Sequence, residues 1–335
     1  MMIKSLTVPQ RTRARVGARD LLWLAWRQHR WVILSGAVLV AVLCGYMLSN
    51  EAGIVPVTYQ SCGPLCTELF GRFPEQSAAA DVQLWLATGF GGLVGVFWAA
   101  PLVAREFEQG TQLLAWSQDV SARRWLVGKV VVLAVAAVGF AAVLGVVAGG
   151  LVGRLASGDP TFYSAFSGTR FEASASLQAS FALFGFALGL AASVLLRRTI
   201  PAMGVTLVLF AGVRGAVSLL RLHYLPPIQL LVPVGGNTPV ATAGRVILSW
   251  DMVNTAGQVV TAIPANCMLP GTYTEAVMNA CLVRNGILHN LVVYQPADRL
   301  PTFRLIETGI FVVLAVALFA VTWLWLRRST VRGTR

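Results

Sequence analysis

Six blocks of the chain stay apolar for about 20 residues each, with polar material confined to the joins. They are Trp31–Leu48, Val82–Val103, Leu126–Val152, Leu177–Leu196, Ile200–Leu220 and Ile306–Leu326. A helix of that length crosses roughly 30 Å of hydrocarbon and closes its backbone hydrogen bonds internally. The pattern therefore predicts six transmembrane helices. Pro101 and the small residues before it mark the end of the second. The fourth and fifth are parted only by Arg197, Arg198 and Thr199. Pro201 suits the first turn of the fifth, where its missing N–H has no partner to lose.

The joins differ in size. One side of the membrane receives loops at about 49–81, 153–176 and 221–305. The last is long, rich in proline, and holds two moderately apolar stretches near 240–263 and 273–294, which read as short helices or re-entrant segments. Residues 19–30, "RDLLWLAWRQHR", read either as an interfacial helix or as the start of span one. Tryptophan favours the headgroup zone and arginine favours anionic lipid. The chain thus divides into an N-terminal segment with its interfacial helix (1–30), spans one to five (31–220), an external loop region (221–305), and span six with a basic tail (306–335). No internal repeat of this unit is visible. The fold class is an all-α integral membrane protein.

Composition agrees. Only 12% of the 335 residues are charged, about half the usual share for a soluble domain, and mean hydropathy is +0.69. The first 20 residues are basic and polar, unlike a secretory signal. The net charge of +12 raises the question of nucleic acid. Its placement answers it. With the N-terminus in the cytosol, the segments on that side carry seventeen of the 26 Lys and Arg residues and four of the 14 acids. This is the positive-inside bias of a multi-pass protein with both termini cytosolic. It accounts for the charge by topology and attraction to membrane lipid, so no nucleic-acid partner is needed.

The search for chemistry is mostly negative. No phosphate-binding G-x-x-x-x-G-K-[ST] occurs, and the three histidines, His29, His223 and His289, are isolated, with no metal-ligand spacing. No acid sits mid-span; Asp81 and Glu307 lie at span ends. Proton relays and intramembrane proteases are disfavoured on that ground. Arg214 is the clear intramembrane charge. It reads first as snorkelling to the outer interface, and otherwise as a contact to an anionic substrate or lipid. Of five cysteines, Cys44 lies in span one and four are external. The outer setting permits disulfides. Cys267–Cys281 is the favoured local bridge, and Cys62 and Cys66 are close enough to pair around Gly63–Pro64. Pairing between the two loops and free thiols are the alternatives.

The polar stretch between spans two and three, "AREFEQGTQLLAWSQDVSARRWLVGK" (104–129), is the exception to this quiet chemistry. Arg105 falls at the headgroups, Glu106 and Glu108 just beyond. Gly110–Thr111 breaks the run, Leu113, Leu114 and Trp116 form an apolar patch, and Ser121 caps a new helix that Arg123, Arg124 and Trp125 anchor. Carboxylates beside an anionic leaflet should face something basic, either an intrachain base or a partner protein.

This stretch resembles the signature of membrane subunits of the type-2 exporter family of ATP-binding-cassette transporters, which have the type V exporter fold. The matching residues are Glu106, Glu108, Gly110, Thr111, Leu113, Leu114, Ser121, Arg123, Gly128 and Lys129; Ser117 departs from the proline-containing turn of many relatives. "YQPADRLPTFRLIETGIF" (294–311) resembles the entry to the last span of bacterial members. The resemblance implies that 104–125 holds a cytosolic coupling helix, with Arg105, Glu106, Glu108, Gly110, Thr111, Leu113, Leu114 and Arg123 contacting a separate ATPase subunit. It implies a second permease copy or homologue in a dimer, ATP and Mg bound on the partner with no cofactor in this chain, and a bacterial cytoplasmic membrane. The expected role is non-enzymatic: the permease subunit of an exporter for an amphiphilic or hydrophobic cargo. The rival readings are a sensor or mechanotransmitter that uses the same ATPase without transport, and a secondary transporter or lipid-modifying enzyme.

Overall fold

The computed structural model describes residues 18–54, 66–109, 122–158, 166, 168–236, 245–267 and 274–332. Six of its helices are long and apolar enough to cross a membrane: Trp23–Gly53, Ser77–Gln109, Val127–Ala156, Ala175–Leu196, Thr199–His223 and Ala297–Trp325. Each contains or extends a block read from the sequence. The extensions have simple causes.

Helix α1 runs unbroken over Ala18–Gly53. Nothing between Ala18 and Ser35 is glycine or proline, so the helix has no reason to break at the membrane boundary. Residues 19–30 are its first turns. Span two joins α2 (Cys66–Leu93), a π turn (Val94–Ala99) and α3 (Ala100–Gln109). Pro101 does not end it. A proline removes one rung of the α-helical ladder and crowds the carbonyl four residues back. Here the turn before it is already widened, with the Ala100 N–H donating to the Gly95 carbonyl, and the helix continues for two further turns.

Helix α4 spans Ala122–Gly158 and short helix α5 spans Gly168–Glu172. Helix α6 (Ala175–Leu196) follows the cap residue Ser174, whose hydroxyl accepts from the Leu177 N–H. Helices α6 and α7 (Thr199–Leu220) are separated by Arg197 at φ 55 and the extended Arg198.

Helix α6 is the hub. Most of its span (78%) is buried, against 11% for the span built on α7. Glycines set its approach to span two. Gly91 and Gly95 meet Gly185 and Gly189 so closely that a Cβ on Gly91 would lie 2.7 Å from the Phe181 carbonyl carbon. Small residues four apart let helix backbones touch where lipid supplies no hydrophobic drive for association. On the other side of α6, Phe181 and Phe184 pack edge-on against Phe311 of α9 (Leu300–Arg332).

The region after α7 corrects the all-α reading. It folds as a four-stranded antiparallel sheet in the order β1-β4-β2-β3, built from β1 (Ile228–Pro233), β2 (Val246–Asn254), β3 (Val259–Val260) and β4 (Ile287–Gln295). Neither apolar stretch there forms a single helix. The first supplies β2 and β3; the second splits into helix α8 (Glu275–Arg284) and β4. β-Branched and aromatic residues fill the strands. Gly257 (φ +74) and Gly286 (φ +76) take the positive-φ positions of the turns, where a side chain would be strained.

Cys267 and Cys281 are bridged, with Cα atoms 5.6 Å apart. Cys62 lies outside the described residues, and of Cys66 only its place at the start of α2 is described. Closing a loop of this length stabilises by about 3 kcal/mol in the chain-entropy account. The Cys267→Ser/Cys281→Ser variant should therefore expose the sheet region to protease while the melting of the helical bundle changes little. Limited proteolysis in detergent, with intact-mass mapping of the first cuts, checks this.

Candidate functional site

Two groups of charges lie at opposite ends of the bundle. The first surrounds the stems of 104–129. The last turns of α3 place Arg105 and Glu108 on the exposed side and leave Glu106 half-buried. The Lys129 ammonium, on α4, donates to Glu106 Oε1 at 3.0 Å. Lys129 is buried, and a buried ammonium needs such a partner. Glu106 and Lys129 thus join the helix that leaves span two to the helix that enters span three.

Glu108 does a different job. Its Oε1 accepts from the Thr199 N–H and its Oε2 from the Thr199 hydroxyl, both at 2.8 Å. Thr199 is the first residue of α7, and the preceding Arg198 makes no side-chain cap. A carboxylate there satisfies an orphan N–H and meets the positive end of the helix dipole. Beside it, the Arg197 guanidinium lies over the rings of Phe107 (5.4 Å) and Trp325 (4.8 Å). The end of span two is thereby linked to spans three, five and six. Both glutamates found intrachain partners, a lysine and a helix terminus. Gly110, Thr111, Leu113 and Leu114 lie outside the described residues, and of Arg123 only its place in the first turn of α4 is described.

The second group lies under the sheet. Arg221 is 2% exposed and Glu307 1%. The Arg221 Nε and Nη2 donate to the two oxygens of Glu307 at 2.9 and 3.0 Å, and Nη2 also donates to Glu172 Oε1 at 3.0 Å. Its guanidinium sits 4.0 Å from the Phe171 ring centroid. Arg214 does not snorkel outward. It pairs with Glu172 and donates to the Thr88 carbonyl at 2.8 Å. Arg170 makes a two-pronged contact with Asp81 at 3.0 and 3.1 Å. Burial and the neighbouring Glu307 carboxylate push the Tyr224 phenol up; its hydroxyl lies 3.4 Å from both Glu307 Oε2 and the Val217 carbonyl oxygen.

Sequence reasoning singled out Arg214 but missed Glu172, Arg221 and Glu307 as a set. The available signal was charge balance: Arg214 inside an apolar run, with Arg221 and Glu307 at span ends, are charges that have to meet partners inside the protein. Among the described residues, no three His, Cys, Asp or Glu side chains converge as a metal site.

Comparison with protein families supplies the deciding observation. The ABC-2 membrane transporter related family matches residues 32–221. The chain belongs to that family. The match runs from the first turns of span one through 104–129 to Arg221, so it includes every helix that meets at Glu106 and Glu108. No curated protein and no solved structure gives a match. As an ABC-2-related protein the chain is a multi-pass membrane protein of the ABC permease type, a class that works with an ATP-binding-cassette subunit. The sheet and the last span lie beyond the matched region.

Proposed function

We propose that this ABC-2-related chain is the permease half of an ATP-driven exporter. Residues 104–125 seat on a separate ATPase subunit, which binds and hydrolyses ATP with Mg. Two permeases, identical or homologous, form a path beside spans two and five, and both termini lie in the cytosol. The carrying observation is the junction of Glu106 with Lys129 and Glu108 with Thr199. It ties both stems of the segment to three spans, so a push on the segment reaches them as a unit. Apolar spans suit an amphiphilic or hydrophobic cargo.

The test leaves the junction intact. Leu113→Asp/Leu114→Asp is co-expressed with the ATP-binding-cassette protein of the neighbouring reading frame. Co-purification and ATP turnover should both fall, while the variant permease alone elutes as the wild type does. Unchanged assembly and turnover would remove the coupling role. The folded sheet, flanked by the Cys267–Cys281 disulfide, favours a second reading, a sensor whose external domain binds a ligand. Uptake of labelled amphiphiles into inverted vesicles separates the two, since a sensor gives ATP turnover without flux.

A further inference from the structure

Helix α1 carries an arginine–tryptophan face that the coupling reading does not use. From Trp31 to Gly53 the helix rises about 33 Å, close to one hydrocarbon thickness. Its far end is fixed at the sheet-bearing side, where Asn50 donates to Gln83 Oε1 at 3.1 Å. Trp31 therefore stands at the opposite membrane boundary, and the two preceding turns stand at headgroup level. Trp23, Arg27, Arg30, Trp31, Leu34 and Val38 follow one another at helical spacing along one exposed stripe. Trp31 is 70% exposed and Trp23 58%.

The arginines are held by rings. The Arg27 guanidinium lies 5.4 Å from the Trp23 ring centroid, and Arg30 lies 5.3 Å from that of Trp31. Among the described residues, neither arginine pairs with a carboxylate. A stacked guanidinium uses its face and keeps its edge N–H groups for an anion. Below the two bases the same stripe turns apolar, through Leu34 and Val38. Charge above and hydrocarbon below, in that order along one helix, complement a phospholipid with a net negative headgroup.

We propose that Trp23, Arg27, Arg30 and Trp31 form a binding site for the phosphodiester of an anionic phospholipid in the leaflet on the N-terminal side, with an acyl chain lying along Leu34 and Val38. The site depends on the chain spanning a bilayer and is independent of any ATPase partner.

Tail-labelled phosphatidylglycerol is titrated into the purified full chain in neutral detergent, with tail-labelled phosphatidylcholine as the comparison. The wild type should prefer phosphatidylglycerol. Arg27→Gln/Arg30→Gln should weaken phosphatidylglycerol binding about thirtyfold, from about 1 kcal/mol for each juxtamembrane base. Phosphatidylcholine binding should stay within about twofold, the scale of a minor electrostatic change. Arg154→Gln, at the opposite end of the bundle, should keep the preference. If the double variant does not elute as the wild type does, the single variants carry the test, each expected to cost about fivefold. An undiminished preference in the variants, or equal binding of the two lipids by the wild type, overturns the proposal. Displacement of the labelled lipid by soluble glycerol phosphate would also overturn it, by making this a site for free phosphate esters.

Discussion

Arg221→Met is expected to be the most damaging single substitution outside the backbone contacts, lowering stability by about 3–5 kcal/mol, as breaking one partner of a buried ion pair does. Arg221 serves two carboxylates at once, holding Glu307 with two donors and Glu172 with one. Methionine matches much of its volume but leaves Glu307 buried and uncompensated. Arg221→Lys should recover little, because an ammonium lacks the planar fork that reaches both oxygens of Glu307.

The double variant Arg221→Met/Glu307→Leu should recover much of the loss. It removes both charges, and Glu172 keeps Arg214. Thermal unfolding of the wild type, Arg221→Met, Glu307→Leu and the double variant in detergent, followed by size-exclusion elution of the remaining folded fraction, measures the cycle. Equal melting of Arg221→Met and the double variant would show that the pairing contributes nothing beyond the arginine's packing.

The second large effect is steric. Gly185→Val should prevent the close approach of span two to span four and cost at least the roughly 1–3 kcal/mol of an overpacked core. A Cβ at Gly185 meets the Gly91 carbonyl, and a Cβ at Gly91 or Gly95 meets the backbone of α6. Backbone cannot rotate aside as a side chain does, so the helices must separate and break the contacts along the whole seam. Gly212→Ala and Gly204→Ala on α7 are the controls. Nothing lies within 4 Å of a Cβ at either, so alanine should be neutral or gain up to about 1 kcal/mol from helix propensity. If Gly185→Val melts with these controls, the seam does not depend on the glycine.

The relation of sequence to structure differs by level. Six apolar blocks gave six helices of membrane length, because hydrocarbon leaves an isolated segment one way to satisfy its backbone. Pro101 misled, since its effect depends on the π turn before it, and a π turn has no compositional mark. The loop 221–305 misled because apolar content without length distinguishes strand from helix poorly. The apolar–polar alternation over Leu248–Met252, inside β2, was the cue for a sheet.

Spacing favoured the Cys267–Cys281 bridge but left other pairings open, and the fold decided it. The sequence also marked Glu106 and Glu108 as carboxylates in need of partners, but their partners lie 23 and 91 residues away.

What the sequence determined by itself was the class of the molecule: a multi-pass membrane protein with six apolar spans, of the family whose model matches residues 32–221. Those features follow from local composition and short-range spacing. What only the tertiary structure decided was which charges meet. Arg214 faces Glu172, Arg221 bridges Glu172 and Glu307, and Glu108 caps a helix that begins at Thr199. Charge attracts any opposite charge, and sequence distance places no limit on which one. The partner is selected by the packing of whole helices, set here by glycine contacts and aromatic layers around α6.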